Sequence, residues 1–101
     1  MPRAPSAHAI NNALALFQRR WVLRIIWELR SGALTFRKMQ EACGELSASV
    51  LNRRLRELRD ALIVEHDGNT GGYQLTPLGR DLVVAFEPLL RWSARWTKAL
   101  P

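Results

Sequence analysis

The chain has 101 residues, of which 48% are apolar and 24% are charged, and its formal net charge is +6 at pH 7. This length allows one domain with a modest core, and the apolar content excludes a disordered chain. No apolar run approaches the ~20 residues that span a bilayer, and the N-terminal residues lack the apolar segment of a signal peptide. We therefore expect a single domain over residues 1–101, located in the cytoplasm and without a membrane partner.

The excess of positive charge favours an anionic partner. Thirteen of the fifteen basic residues are arginine, whose planar side chain binds phosphate or guanine through two hydrogen bonds at once. Nucleic acid fits this balance, and so does a membrane surface. The single cysteine excludes an internal disulfide, and the two distant histidines do not complete a zinc site with it. Since the sequence contains neither a phosphate-binding loop nor a nucleophile beside a base, we predict no metal, no cofactor and no enzyme activity.

The N-terminal region is predicted to form a loose arm over residues 1–6 and then a short helix. Ser6 is suited to cap a helix from Ala7 to Phe17. The apolar face of this helix consists of Ile10, Leu14 and Phe17. So short a helix is not stable alone in water, and it must therefore pack against the domain or against another subunit.

A second helix is predicted from Arg19 to Arg30. Its apolar residues extend beyond one side, which is typical of the central helix of a core. Trp21 and Trp27 are therefore interpreted as packing residues. Binding of an aromatic ligand is the alternative, but aromatic stripes mostly belong to cores.

Residues 36–62 have the pattern of a helix-turn-helix. Thr35 is a candidate cap for a helix from Phe36 to Cys43, and Gly44 ends that helix. Ser47 is suited to cap a second helix that continues to Leu62. Cys43 is interpreted as a small buried hydrophobe, because the carboxylates nearby in sequence would raise the thiol pKa that a redox sensor needs lowered.

The second of these helices has two different faces. Its apolar stripe consists of Leu51, Leu55, Leu58 and Leu62. The opposite face presents Ser49, Asn52, Arg53 and Arg56. Arginine pairs with guanine and asparagine with adenine through two hydrogen bonds each, so this face is suited to base recognition. A solvated surface helix is the alternative, since charged runs usually face water.

A hairpin and a long helix complete the chain. Strands are predicted at Ile63–Asp67 and Tyr73–Leu75, joined by a glycine-rich turn, which together form a wing over residues 63–75. Thr76 and Pro77 begin a helix that runs to Lys98. Its apolar stripe exceeds what a small domain covers, so we expect a second copy to cover the remainder. Packing onto the first helix of the same subunit is the alternative, and the two can coexist.

This order of elements predicts a mainly α fold with a small β-hairpin, a winged helix-turn-helix. Over about residues 14–97 the sequence resembles the HxlR-type family of bacterial winged-helix transcriptional regulators. The most specific features are Trp21 within its apolar helix and the segment from Tyr73 to Gly79 that leads into the last helix.

The resemblance implies a homodimer that binds palindromic operator DNA and places the second helix of the helix-turn-helix in the major groove. Many members of the family respond to electrophiles or oxidants, some through cysteine, and a small aromatic or electrophilic effector is expected for this chain. Carried over, the positions facing the groove are Ser47, Ser49, Asn52 and Arg53. Phosphate contacts would come from Thr35, Arg37, Lys38, Arg54 and Arg56. The dimer interface on the first and last helices would contain Ile10, Leu14, Phe17, Phe86, Leu89, Leu90, Trp92 and Trp96.

The sequence departs from the family pattern in three places. Leu62 stands where the family usually has glycine, and a left-handed backbone there would cost leucine roughly 1–2 kcal/mol, so we expect the helix to end differently. The wing carries Glu65 and Asp67 in place of the family's proline and arginine, which opposes contact with phosphate. The thiol of family sensors lies near the N-terminus, where residues 1–20 contain none, so thiol sensing is not inherited.

We favour a sequence-specific DNA-binding transcriptional regulator, a repressor acting as a homodimer in the cytoplasm on the nucleoid. The alternative is a winged-helix module for protein–protein interaction without specific DNA binding, which the acidic wing and the apolar last helix would suit. The four tryptophans Trp21, Trp27, Trp92 and Trp96 would line an effector pocket at the dimer interface or serve packing alone, and both explanations stay open.

Overall fold

The computed structural model describes residues 4–101, which form five helices and one two-stranded antiparallel sheet. The helices are α1 Ala7–Phe17, α2 Val22–Glu28, α3 Phe36–Ala42, α4 Ala48–Asp60 and α5 Pro77–Ala99, and the strands are β1 Val64–His66 and β2 Tyr73–Leu75. This is the predicted mainly α winged helix-turn-helix, and the fold class is confirmed. Of the arm predicted over residues 1–6, residues 1–3 lie outside the described residues.

The four caps predicted from the sequence begin four of the helices. The hydroxyl oxygens of Ser6, Thr35, Ser47 and Thr76 each accept a hydrogen bond from the backbone N–H three residues later, at 3.0–3.3 Å. Each cap satisfies a donor that the first helical turn leaves without a backbone partner. These helix starts are therefore set by signals local to the sequence.

Helix α2 is the centre of the core, as predicted. Val22, Ile25 and Ile26 are fully buried, and Leu29 directly after the helix is nearly so. The helix begins at Val22 and not at Arg19, because Trp21 has a left-handed backbone with φ 78° that separates α2 from α1. Buried side chains from the rest of the chain surround it: Met39, Cys43, Leu46, Leu51, Leu55, Leu58, Ile63, Val64, Leu75 and Phe86.

Cys43 belongs to this core, where its surface is almost fully covered. Desolvation by burial raises the pKa of its thiol, with Arg24 opposing that shift and Glu28 adding to it. A raised pKa disfavours the reactive thiolate. The interpretation of Cys43 as a small buried hydrophobe therefore agrees with its surroundings.

The wing is tied back to the start of the helix-turn-helix. Strands β1 and β2 pair with Val64 opposite Leu75 and His66 opposite Tyr73. The extended link before α3 adds a short third pairing, in which Leu34 and Tyr73 exchange backbone hydrogen bonds of 3.0 and 2.9 Å. The wing is therefore held, along the edge formed by β2, close to the start of the helix-turn-helix.

Helix α4 ends through a left-handed residue, contrary to our expectation. Leu62 has φ 65°, its N–H donates to the Arg59 carbonyl at 3.0 Å, and the Ile63 N–H donates to the Leu58 carbonyl at 2.9 Å. This pair of hydrogen bonds is a Schellman motif, and Leu58 and Ile63, which it joins, both belong to the buried core. The prediction that leucine would change the helix end was wrong, because these bonds and contacts hold the backbone in place.

We expect Leu62→Gly to raise the free energy of unfolding by about 0.5–1 kcal/mol. Glycine relieves the strain of the left-handed backbone, and this gain outweighs the additional chain entropy that glycine gives the unfolded state. The lost packing is small, since Leu62 is 67% exposed. Chemical denaturation would measure the change. Ala61→Gly is the control, since Ala61 has φ −83° and glycine there should only destabilise. A lower stability of Leu62→Gly would contradict the strain argument.

Candidate nucleic-acid interface

The outer face of α4 carries polar side chains without internal partners. Its inner face is fixed by Leu51, Leu55 and Leu58, which are at most 1% exposed. On the outer face Ser49, Asn52, Arg53 and Arg56 are all exposed. Among the described residues, none of these four side chains makes a hydrogen bond or an ion pair within the chain. The face therefore offers hydroxyl, amide and guanidinium groups to a ligand.

The turn between α3 and α4 fixes the position of the start of α4. Gly44 and Glu45 both have left-handed backbones, with φ 73° and 61°. The Gln40 carbonyl accepts the Glu45 N–H at 2.8 Å, and the Gln40 side-chain amide donates to the Leu46 carbonyl at 3.1 Å. Because Gln40 of α3 bonds to the two residues that precede Ser47, α3 holds Ser47 and the first turn of α4 in a defined place.

The predicted phosphate contacts on α3 lie at its N-terminal end. Arg37 and Lys38 are exposed in the first turn of α3, and Thr35 is the half-buried cap that precedes them. Arg37 also lies 3.3 Å from Glu41, but both side chains are largely exposed, and such surface pairs contribute little. Both cations therefore remain available to an anion.

Arg54 is directed into the protein. Its Nε donates to the Arg20 carbonyl at 2.8 Å, and its Nη1 donates to both carboxylate oxygens of Glu57 at 3.0 Å. A phosphate contact, as the resemblance implied, would require these hydrogen bonds to break. We therefore assign Arg54 a role in holding α4 and leave it out of the DNA contacts proposed below.

The residues predicted at a dimer interface divide into exposed and buried sets. Five apolar side chains are between 46 and 53% exposed: Ile10, Leu14, Leu89, Trp92 and Trp96. Phe17 and Leu90 are half-buried. Phe86, in contrast, is 5% exposed and packs in the core of its own chain, with its ring 6.3 Å from that of Trp27. The helical stripe could not separate these sets, because it does not show where α5 leaves the core, and Phe86 is removed from the interface.

The four tryptophans do not line a common cavity in the described chain. Trp92 and Trp96 stack on each other at the surface of α5, with ring centroids 5.4 Å apart. Trp27 packs between Phe86 and the Arg30 guanidinium, while Trp21 lies at the connection between α1 and α2. A pocket built from all four would therefore need a second subunit.

The two wing carboxylates, Asp67 and Glu65, have different surroundings. The Asp67 carboxylate accepts hydrogen bonds from the Thr70 hydroxyl at 2.6 Å and from the N–H groups of Thr70 and Asn69 at 3.1 and 3.2 Å. These bonds, the Thr70 hydroxyl foremost, hold the pKa of Asp67 below its usual range. Glu65 stays exposed on β1, where the Gln74 amide donates to it. Asp67 therefore stays negatively charged but is hydrogen-bonded within the turn, and Glu65 is the wing carboxylate left on the exposed strand.

Sequence reasoning missed Arg59, a cation beside the outer face of α4. Arg59 and His66 line, together with Arg56, a cleft of about 400 Å³ between the end of α4 and β1. Arg59 follows Arg56 by three residues, a spacing that places them on one side of a helix and could have identified it. His66 is brought to the same cleft only by the hairpin.

Comparison with known proteins places this arrangement in a family. The HxlR-like helix-turn-helix family matches residues 16–100. The chain belongs to that family. The HTH-type transcriptional regulator YvaP of Bacillus subtilis is 29% identical over 89 residues, which cover 83% of this chain and 82% of YvaP. The HTH-type transcriptional regulator MJ0925 of Methanocaldococcus jannaschii is 28% identical over 86 residues, which cover 80% of this chain and 78% of that protein.

The solved structures agree with membership in the HxlR-like family. The quinone-bound form of YodB from Bacillus subtilis has a TM-score of 0.80 to this chain at 29% identity, covering 88% of this chain and 99% of YodB. The resemblance drawn from the sequence is thus confirmed, and the chain is a DNA-binding transcriptional regulator and not an enzyme. Among residues 4–101, no helix is both long and apolar enough to cross a membrane.

Proposed function

We propose that this HxlR-family chain is a homodimeric repressor that binds a palindromic operator on the nucleoid. In this proposal, Ser47, Ser49, Asn52 and Arg53 contact base edges. Thr35, Arg37, Lys38 and Arg56 contact phosphates. The observation that carries the proposal is the outer face of α4, where four exposed polar side chains have no partner among the described residues. Such a face opposite a buried leucine stripe is what a recognition helix requires.

The shape of α4 supports insertion into the major groove. Its 13 residues correspond to a rod of about 20 Å, and a helix fits a major groove about 12 Å wide. Small residues from Ser47 to Ser49 at its start allow the backbone to approach closely. Arg53 and Asn52 then stand one turn further along, where arginine can bond to guanine and asparagine to adenine.

Homodimer formation is supported by the exposed apolar side chains of α1 and α5. Ile10 and Leu14 project from α1, and Leu89, Trp92 and Trp96 from α5, each about half exposed. A monomer of this size rarely exposes an apolar surface of this kind without a partner. A two-fold dimer would also place two copies of α4 on successive major grooves, which matches a palindromic operator.

An aromatic or electrophilic effector is supported by an apolar groove in each subunit. The groove has a volume of about 670 Å³ and lies between α1 and the start of α5. Its lining includes Leu16, Phe17 and Leu82. A structurally similar regulator, YodB, is known in a quinone-bound form. Because Cys43 is buried and its thiol pKa is raised, we expect the effector to bind this chain without a covalent bond to sulfur.

Fluorescence anisotropy with DNA from the upstream region of the chain's own gene, against a shuffled control and at several salt concentrations, tests the proposal. Three charged phosphate contacts per subunit predict a slope of log affinity against log salt of about −5 for a dimer. We expect preference for the upstream DNA by a factor of ~10³ or more. Sedimentation should show a dimer. A monomer, or the absence of binding at low salt and in selection from random DNA, would contradict the proposal.

A further inference from the structure

Helix α1 is only loosely packed on its own subunit. It contains no buried residue among those described. The groove of about 670 Å³ separates it partly from α5, and a second cleft of about 430 Å³ separates it from the end of α4. Apolar contact of α1 with the core is therefore limited to partly buried side chains such as Leu16, which leaves polar contacts to help fix the angle between α1 and α4.

Two polar links span this region. Arg54 of α4 donates to the carbonyl of Arg20 at 2.8 Å, in the connection between α1 and α2. Glu57 of α4 lies 3.2 Å from Arg19, at the wall of the second cleft. Within residues 4–101, these are the only side-chain hydrogen bonds or ion pairs that join α4 to the segment from Ala7 to Glu28.

Glu57 connects the two links. Its carboxylate accepts two hydrogen bonds of 3.0 Å from Arg54, which orient that guanidinium toward the Arg20 carbonyl. Desolvation opposes the charge, but hydrogen bonds from Arg54 and Arg19 outweigh it and leave the pKa of Glu57 below its usual range. The carboxylate is therefore charged at neutral pH and holds both arginines at once.

The direction of α1 matters because this helix carries part of the proposed dimer surface. Its 11 residues span about 16 Å, so a change of about 10° at the connection moves its far end by roughly 3 Å. Successive base pairs are about 3.4 Å apart. A small change in the angle between α1 and α4 would therefore change the distance between the two recognition helices of a dimer by about one base pair.

We propose that Glu57 and Arg54 are positioning residues that fix the angle between α1 and α4 and thereby set the half-site spacing that the dimer accepts. This inference rests on the proposed function as an operator-binding homodimer. Neither side chain contacts DNA in this mechanism. Both act through the connection at Arg19 and Arg20, which lies between the recognition helix and the dimer surface.

The test begins with an operator selected from random DNA by the wild-type protein. Affinity is then measured for versions in which the spacing of the half-sites is changed by one base pair. For the wild type, we expect each change to lower affinity about tenfold or more, as a mismatched base pair does. For Glu57→Gln, we expect the loss to shrink to about threefold or less, because α1 can adjust its angle to either spacing.

Glu28→Gln is the matched control. Glu28 pairs with Arg24 at 2.9 Å, and the side chains of that pair are 53 and 22% exposed, against 50 and 21% for Arg19 and Glu57. Arg24 also donates to the Ala42 carbonyl, so this pair connects α2 to α3 and leaves α1 untouched. Glu28→Gln removes one negative charge from a side chain that is as exposed as Glu57. It should discriminate between half-site spacings as strongly as the wild type.

The outcomes separate this inference from the proposed function. A wild-type protein that selects no palindrome contradicts the proposed function. If the wild type selects a palindrome but Glu57→Gln discriminates between spacings as strongly as the wild type, the positioning role alone is contradicted. The same holds if Glu28→Gln loses as much spacing discrimination as Glu57→Gln. If circular dichroism shows that Glu57→Gln does not fold, the same spacing test is made with Arg19→Gln, at a half-exposed residue, and Arg24→Gln is its control. Loss of spacing discrimination is then expected in Arg19→Gln only.

Discussion

Replacing Arg53 with alanine should weaken binding to the operator by about 1–3 kcal/mol and relax the preference for one base. Arg53 is exposed on the outer face of α4, and within the described chain its guanidinium has no hydrogen-bond or ion-pair partner. The substitution should therefore leave folding unchanged and remove only a contact with the groove. Anisotropy titrations with the operator and with variants at each base position would measure both effects.

The comparison variant is Lys38→Ala. Lys38 is exposed in the first turn of α3, and a phosphate contact there should weaken binding to all sequences alike and reduce the salt slope by about 1 per contact. Arg53→Ala should thus change the base preference, whereas Lys38→Ala should lower the affinity for every sequence. If both variants weakened all sequences equally, or if neither changed the affinity, the assignment of α4 as the recognition helix would be wrong.

Replacing Gly79 with alanine should lower the free energy of unfolding by about 2–4 kcal/mol, since a methyl group there has no room. A Cβ atom on Gly79 would overlap the backbone carbonyl of Ile63 and crowd the Leu75 side chain at 3.2 Å. The same Ile63 carbonyl accepts the Thr76 N–H at 3.0 Å, and the Thr76 hydroxyl donates to the Leu62 carbonyl at 2.6 Å. The first turn of α5 would have to move away from the end of α4.

Thermal unfolding at a fixed protein concentration measures this effect, because dimer formation makes the melting temperature depend on concentration. A loss of this size corresponds to a decrease of roughly 10–25 °C in Tm for a domain of about 100 residues. Gly68→Ala is the control, since nothing lies within 4 Å of a Cβ atom there and its backbone is not left-handed. Equal melting temperatures for the two variants would contradict the close packing at Gly79.

Local signals in the sequence were sufficient for the elements and for the polar outer face of α4. Four caps begin helices where serine and threonine predicted them, because capping involves residues only three positions apart. The two faces of α4 likewise follow from helical periodicity within 13 residues. One helix boundary was missed, since the left-handed backbone at Trp21 shortened a helix whose apolar pattern continues unbroken.

The direction of individual polar side chains depended on residues far away in the chain. Arg53 and Arg54 are adjacent and chemically identical, but only Arg54 meets the Arg20 carbonyl, 34 residues earlier. Asp67 was predicted to oppose phosphate, but the turn of the wing directs its carboxylate to Thr70. Periodicity gives the face on which a residue lies and does not specify the partner it will find there.

By itself, the sequence determined a basic winged-helix regulator with a polar outer face on α4, since charge, capping and periodicity are properties of neighbouring residues. The tertiary structure decided that Phe86 lies in the core and that Arg54 and Glu57 join α4 to the connection before α2. The physical reason is that these outcomes depend on contacts between segments distant in sequence, whose relative positions arise only when the core is packed.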